Sequence, residues 1–214
     1  MRRTAVVLIC CILCILSLAG FTGNKHKINP GCPLPVLVLT PVYAGKGIPG
    51  DTITNASLTG KKILLTFNRF VNCPLCNFRT HQLLEKYDSL TRFGLIIISV
   101  YESTKENLEN YTTKEDIPFI MIADPDGKLY KEFNVQKSWF KTFTGLFHHY
   151  GSTHSAGTKL YKSRYESDGH LNRIGADFLI DEQGIIRVAY SGKFMGDHLP
   201  VEEIIKWEGE CDSQ

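Results

Sequence analysis

Two cysteines separated by two residues are the part of this sequence best suited to chemistry. Cys73 and Cys76 enclose Pro74 and Leu75, directly after the apolar run 63–67 and directly before a helical pattern. A helix N-terminus carries partial positive charge and free N–H groups, so it favours a thiolate over a thiol. The thiolate is the form that attacks disulfides and peroxides. The spacing and its context therefore predict a redox-active dithiol.

The two thiols are expected to have different roles. Cys73, at the helix start and more exposed, is predicted to be the attacking thiolate, and Cys76, one turn further in, to resolve the intermediate. Arg69 and Arg79 flank the pair and could lower the pKa of the thiolate, unless both are exposed surface arginines. The alternative for the pair itself is a static structural disulfide.

The first residues have the pattern of an export signal. Arg2 and Arg3 precede an apolar stretch from Ala5 to Leu18, and small residues at Ser17 and Ala19 fit a cleavage site. We therefore predict a signal peptide at 1–19 and an extracytoplasmic protein, periplasmic or secreted. The alternative is an uncleaved anchor, which would attach the chain to a membrane and face it outward.

Cysteine usage agrees with export. The chain has seven cysteines, and cleavage would leave Cys32, Cys73, Cys76 and Cys211. Two unpaired thiols are unusual in a secreted protein, so Cys32 and Cys211, near the two ends of the mature chain, are predicted to form a structural disulfide. The alternative is that they are independent.

Length and composition indicate a single domain. The chain has 214 residues and a net charge of +2, with scattered lysines that give no nucleic-acid-binding surface. Residues 20–45 are predicted to form an extended arm or linker, with an edge strand at 35–39. Residues 46–211 are predicted to form the domain, and its first part, up to residue 61, a loop.

The elements that must position the dithiol alternate along the chain. Apolar, β-branched runs predict strands at 63–67, 94–100 and 118–123, and helical spacing predicts helices at 76–90, 103–111 and 128–133. A strand at 176–180 turns into a second at 185–190, and a closing helix follows at 200–207. This order predicts an α/β fold whose central mixed sheet has a parallel core and an antiparallel edge.

One stretch, residues 136–172, fits no element cleanly and is predicted to be an insertion. We expect a short helix that packs its aromatic side chains on the sheet, and the alternative is a lid or partner-docking surface near the thiols. Its aromatic residues and neighbouring histidines are Trp139, Phe140, Phe143, Phe147, His148, His149, Tyr150, Tyr161 and Tyr165. A zinc site using the cysteines with His148, His149, His154 or His170 is a weaker alternative, because the spacing matches no zinc module.

Four segments in this order resemble the AhpC/TSA peroxiredoxin-like proteins of the thioredoxin superfamily. They are 67–77 around the dithiol, 118–135, 176–184 and the Gly-Asp-His-Leu-Pro stretch at 196–200. Together they cover most of residues 60–207. The resemblance implies a thioredoxin-like fold and a thiol-dependent oxidoreductase without a cofactor or metal. It also implies an external thiol reductant and, as substrate, a peroxide or a disulfide-bearing protein.

The sequence departs from the family pattern at several positions. Thr66 and Phe70 stand where typical peroxiredoxins carry a Pro and a Thr or Ser that position the peroxide. Gly175 stands where thioredoxins place a cis-Pro, and neither Arg173 nor Arg187 falls on the family arginine position. These departures favour the alternative of a non-catalytic thioredoxin-fold binding module.

His198 belongs to the Gly-Asp-His-Leu-Pro stretch without an assigned role. We predict a residue at a helix start, where Asp197 caps the helix. The alternative is a proton donor near the thiols.

Overall fold

The computed structural model describes residues 28–43, 52–112, 117–148, 150–160 and 167–211. The strands are β1 (Val38–Leu39), β2 (Ile53–Thr54), β3 (Ile63–Phe67), β4 (Ile96–Tyr101), β5 (Ile120–Ala123), β6 (Ala176–Ile180) and β7 (Ile186–Ser191). The helices are α1 (Asn55–Leu58), α2 (Pro74–Glu85), α3 (Tyr87–Leu90), α4 (Lys105–Thr112), α5 (Lys128–Glu132), α6 (Trp139–Gly145), α7 (Tyr150–Leu160) and α8 (Val201–Cys211).

The central sheet has the mixed topology that the sequence predicts. Its strand order is β5-β4-β3-β6-β7. β3, β4 and β5 are parallel, while β6 and β7 run antiparallel and form the hairpin edge. β3 is buried on both faces, with Leu64 in one hydrophobic core and Ile63 and Leu65 in the other. The α/β, thioredoxin-like fold is therefore confirmed.

The dithiol lies where β3 ends and α2 begins. Proline at the first turn suits a helix start, because its missing N–H has no helical partner there. The helix predicted over 76–90 is two helices, since Lys86 has φ −108° and ψ 11° and interrupts it between α2 and α3. Cys73 and Cys76 belong to the core on the α2 face of the sheet.

Residues 28–43 form an extended arm along the domain. The backbone N–H of Gly31 donates to Ile186 O at 2.8 Å, and Ile186 N–H donates to Cys32 O at 2.9 Å. Within the predicted loop up to residue 61, the structure has β2 and α1, and α1 begins with a capping box between Thr54 and Ser57. The loop prediction was wrong there, because this local cap stabilises a helical turn.

The described part of the insertion contains the helices α6 and α7, and four of its aromatic side chains do not pack on the sheet. Trp139, Phe140, Phe143 and Phe147 are 56–88% exposed. The packing prediction was therefore wrong for these four. α6 contacts the body of the domain through its buried Gly145 against Met195, which leaves the large side chains outside. Tyr161, Tyr165 and the side chains of His149 and Tyr150 lie outside the described residues.

The predictions about the chain ends fall largely outside the described residues. Residues 1–27, with the predicted signal peptide, are among those not described, and so is the Cys211 side chain. Cys32 is half-buried as a free thiol, and its predicted disulfide with Cys211 stays a prediction. Among the helices of the described ranges, none has the length and hydropathy needed to cross a membrane.

Candidate active site

The dithiol is held at the N-terminus of α2. Cys73 is the N-cap residue with extended backbone, and its carbonyl oxygen accepts the first helical hydrogen bond, from Asn77 N–H at 2.9 Å. Cys76 lies one turn further in. Both cysteines are free thiols, so the structure represents the reduced state.

Both sulfurs are covered. Cys73 is 1% exposed and Cys76 is 3% exposed, so the expectation that Cys73 is the more exposed thiol was wrong. Both thiols belong to the hydrophobic core on the α2 face of the sheet, and α7 of the insertion lies against the backbone of Pro74 between them. Solvent exposure therefore does not distinguish the two thiols. The difference between them lies in their electrostatic surroundings.

Arg69 provides the main asymmetry between the thiols. Its guanidinium Nη1 donates to Cys73 Sγ at 3.4 Å, and its backbone N–H donates to Cys76 Sγ at 3.3 Å. The same Nη1 lies 3.1 Å from Met195 Sδ, and Nη2 donates to the carbonyl of Leu171. Arg69 is buried, so it is not a surface arginine. Its positive charge is placed to stabilise a Cys73 thiolate.

The two thiols have opposite pKa shifts. Burial raises the pKa of Cys73, but hydrogen bonding from Cys76, the charge of Arg69 and the backbone N–H groups of Cys76 and Leu75 outweigh it and lower the pKa to about 6. Burial and the neighbouring Cys73 thiolate raise the pKa of Cys76 well above its ordinary value. At neutral pH the site therefore holds a Cys73 thiolate beside a protonated Cys76.

Arg79 lies in a different environment. It is buried, and its Nη2 is 3.4 Å from Asp177 Oδ1. Thr66 Oγ1 donates to the same carboxylate at 2.6 Å, and His198 Nδ1 lies 3.1 Å from it. Burial would raise the pKa of Asp177, but His198, Arg79 and Thr66 together hold it well below its usual range. Arg79 thus supports α2 through Asp177, and its described ion pair is with that carboxylate rather than with a thiol.

The predictions for Asp197 and His198 need correction. Asp197 Oδ2 accepts from Lys193 N–H at 2.7 Å and from Tyr190 Oη at 2.8 Å, so it closes a turn before α8 instead of capping the helix. The described ring hydrogen bonds of His198 go to Asp177, and a methyl group on Gly175 would lie 2.5 Å from its Nε2. A side chain at position 175 would therefore clash with the His198 ring, and glycine leaves room for it.

Two further residues at the site carried no sequence signal. Met195 contacts the Arg69 guanidinium from a loop before α8, and Glu102 follows β4. Glu102 is buried and ion-paired with Arg173, whose guanidinium lies 4.5 Å from the centre of the Tyr130 ring. Only the fold brings these residues together. In the described part of the chain, no group of three or more His, Cys, Asp or Glu side chains is placed to hold a metal.

Replacing Arg69 tests its effect on the thiolate. Alkylation of Cys73 by iodoacetamide is expected to accelerate as pH rises through about 6, because the thiolate is the reacting form. In Arg69→Met the midpoint should rise to about 7 or above, since the charge that favours the thiolate is lost. The measurement is the pH profile of the alkylation rate, quantified on the Cys73 peptide.

The matched control for that experiment is Arg92→Met, which removes an exposed arginine. It should keep the midpoint near pH 6. An unchanged midpoint in Arg69→Met would show that helix N–H groups and Cys76 alone support the thiolate.

Comparison of the sequence with known proteins identifies a family of redox proteins. The profile of the AhpC/TSA family matches residues 38–189. Peroxiredoxin Bcp of Bacillus subtilis is 26% identical over 104 residues, which cover 47% of this chain and 66% of the relative, slightly less than two thirds of its length. Peroxiredoxin Bcp of Escherichia coli is 23% identical over 117 residues, covering 53% of this chain and 75% of the relative.

Solved structures share the fold. Enterococcus faecalis AhpC superposes with a TM-score of 0.61 at 16% identity, covering 88% of this chain and 94% of that protein. The peroxidoxin BcpB of Mycobacterium tuberculosis superposes with a TM-score of 0.60 at 11% identity, covering 86% and 98%. Because the family profile spans most of the chain, including the dithiol, the protein belongs to the AhpC/TSA family of thiol-dependent oxidoreductases.

Proposed function

We propose that this protein is an exported thiol peroxidase that reduces peroxides through Cys73 and Cys76. The observation that carries the proposal is the guanidinium of Arg69, buried 3.4 Å from Cys73 Sγ. A structural disulfide or a passive binding module has no need of a charge that lowers a thiol pKa. The lowered pKa of Cys73 and the raised pKa of Cys76 fit an attacking thiolate and a thiol held in reserve.

The first step forms a sulfenic acid. The Cys73 thiolate attacks one peroxide oxygen, the S–O bond forms and the O–O bond breaks. The leaving hydroxide or alkoxide takes a proton from solvent and departs as water or alcohol. Arg69 can assist this step, because its buried Nε–H has no acceptor among the described residues and can donate to a peroxide oxygen.

This use of Arg69 accounts for the departures from the family pattern. The hydroxyl of Thr66 is engaged with Asp177, and Phe70 is buried with its ring 5.1 Å from the Arg69 guanidinium carbon. Neither supplies a hydrogen bond to the peroxide. In this proposal the Arg69 guanidinium takes over that task.

The second step forms the disulfide. The sulfur of Cys76 attacks Cys73 Sγ, water leaves, and the Cys73–Cys76 disulfide results. Two thiols of an external reductant then supply two electrons and two protons and restore the dithiol. The overall reaction converts one peroxide and two reductant thiols into one disulfide and either two waters, from hydrogen peroxide, or one alcohol and one water, from an organic peroxide.

Disulfide exchange is the second candidate function. The observation that favours it is the Cys-Pro-Xaa-Cys arrangement itself, because two thiols one turn apart can accept a disulfide from a partner protein. In this reaction the same Cys73 thiolate attacks a partner disulfide, and the leaving group is a partner thiolate instead of hydroxide or alkoxide.

The test is to mix the fully reduced protein with one equivalent of hydrogen peroxide. We expect fast loss of the peroxide and a peptide mass two hydrogens lighter across Cys73 and Cys76. No response to peroxide, but ready reaction with glutathione disulfide, would establish the second candidate instead. Inertness towards both would contradict the proposal.

Export is proposed from residues 1–19 and from the two further cysteines of the mature chain. The expected N-terminus of protein isolated from its host is Gly20. An N-terminus at Met1 on protein recovered from the cytoplasm would contradict export.

A further inference from the structure

The helix α7 lies on the backbone between the two cysteines. A methyl group added to Gly157 would lie 1.8 Å from the carbonyl oxygen of Pro74 and 2.6 Å from its carbonyl carbon. Non-bonded carbon and oxygen atoms do not approach so closely, so only glycine allows α7 to reach this position. The helix is thus seated on the turn that carries both thiols.

Both ends of the insertion are fastened near the dithiol. On one side, Lys141 Nζ donates to Gly192 O at 2.7 Å, and the His148 ring stacks on Phe194 with 4.5 Å between ring centres. On the other side, Leu171 O accepts from Arg69 and Asp168 accepts from Ser103 Oγ at 2.9 Å. The described parts of the insertion, α6, α7 and residues 167–172, therefore all contact the region around the dithiol, and α7 is the part seated on the turn between the two cysteines.

The helix itself has little intrinsic stability. Its eleven residues include Gly151, Ser152, Thr153, Ser155, Gly157 and Thr158, which are poor helix formers. Helices this short are marginal in water unless packing supports them. The contact with α2 is therefore what keeps α7 formed, and local opening of α7 costs less than unfolding the domain.

We propose that α7 selects the reactants of the dithiol by size, with Gly157 as the residue that determines the fit. While α7 is seated, a molecule as small as hydrogen peroxide reaches Cys73 through minor motions of this helix. A protein thiol or protein disulfide reacts only after α7 has left Pro74. The inference rests on the proposed function only in taking Cys73 as the reactive thiol.

The test compares two reagents that carry the same reactive group. N-ethylmaleimide is small, and a maleimide attached to a polyethylene glycol polymer is bulky. The rate of modification of Cys73 by each is measured by peptide mapping and divided by the rate in the same chain unfolded in urea. In the folded wild-type protein we expect the normalised rate of the small reagent to exceed that of the bulky one by about a hundredfold, an opening free energy of a few kcal/mol.

Gly157→Ala should remove most of this selectivity. The added methyl group cannot fit against Pro74, so α7 is displaced and the bulky reagent gains about tenfold or more in rate relative to the small one. The matched control is Gly209→Ala in α8, because among the described residues the added methyl group would meet no atom within 4 Å apart from its chain neighbours and the backbone of its own helix. It should behave as wild type.

Two outcomes would overturn the inference. One is equal normalised rates of the two reagents on the folded wild-type protein, a result that decides the question even if Gly157→Ala does not fold. The other is a folded Gly157→Ala protein, judged by circular dichroism, with wild-type selectivity. Since maleimides report access alone, size selection with no peroxide turnover would refute the proposed function and leave this inference standing.

Discussion

Replacing Cys73 with serine is expected to slow peroxide consumption by on the order of a thousandfold or more. A serine hydroxyl is not ionised at neutral pH, so the charge of Arg69 and the N–H groups of α2 have no thiolate to stabilise. Cys76→Ser should behave differently, because its Cys73 thiolate remains. That variant should consume one equivalent of peroxide and then stop, with Cys73 trapped as a sulfenic acid that dimedone labels.

The control for this pair is Cys32→Ser, a half-buried cysteine in the arm beside the β7 edge. It should turn over at the wild-type rate. The measurement is stopped-flow loss of peroxide with mass analysis of the cysteine peptides. If Cys76→Ser lost the first turnover and Cys73→Ser kept it, the roles of the two thiols would be reversed, and the lowered pKa of Cys73 would have no catalytic meaning.

The sheet was predictable because its signals are local. The apolar runs that became β3 and β4 are dense in Ile and Leu, and Gly184, with φ +74°, marks the turn of the β6–β7 hairpin. Each of these patterns is contained in fewer than about ten residues. Because side chains alternate between the two faces of a strand, the pattern of apolar residues also indicates whether one face or both faces of that strand are buried. The pairing of β3 with β4, of β4 with β5 and of β6 with β7 then follows from the tendency of consecutive strands to be neighbours, whereas the pairing of β3 with β6 does not.

Burial of the dithiol was not predictable from its own neighbourhood. A cysteine at a helix start is ordinarily accessible, and nothing near residue 73 indicates a cover. The helix that lies on Pro74 through Gly157 belongs to a distant segment whose composition favours no element strongly. The exposure of the aromatic side chains of α6 was equally hard to predict from the local sequence. Phe140 and Phe143 are of a type that is usually buried, yet the helix meets the domain through Gly145.

The surroundings of Asp177 depend wholly on long-range pairing. Thr66 meets Asp177 because β3 and β6 pair in antiparallel register at these two residues, and Arg79 and His198 arrive from α2 and from the loop before α8. No spacing in the sequence connects the four. A single buried carboxylate thus joins the central strand, the helix that carries the dithiol and the start of the last helix.

Removing this carboxylate is expected to produce the largest loss of stability. In Asp177→Asn the buried guanidinium of Arg79 loses its counter-charge, and breaking a buried ion pair on one side costs about 3–5 kcal/mol. The measurement is the free energy of unfolding in urea at pH 7. Asp126→Ala, which removes an exposed carboxylate beside Lys128, should change it little. The double variant Asp177→Asn/Arg79→Met should recover much of the loss, because no unpaired charge is then buried.

The loss of stability in Asp177→Asn is expected to depend on pH. The folded protein holds the pKa of Asp177 well below its value in the unfolded chain, so its stabilising contribution is complete above the ordinary carboxyl pKa of about 4 and is lost as pH falls below it. The gap in unfolding free energy between wild type and Asp177→Asn should therefore narrow as pH falls from about 4 towards 2.5. A gap that stayed constant across this range would mean that Asp177 acts through its shape and hydrogen bonds alone. In that case the α2 helix would be held by packing, and the charge of Arg79 would be compensated elsewhere.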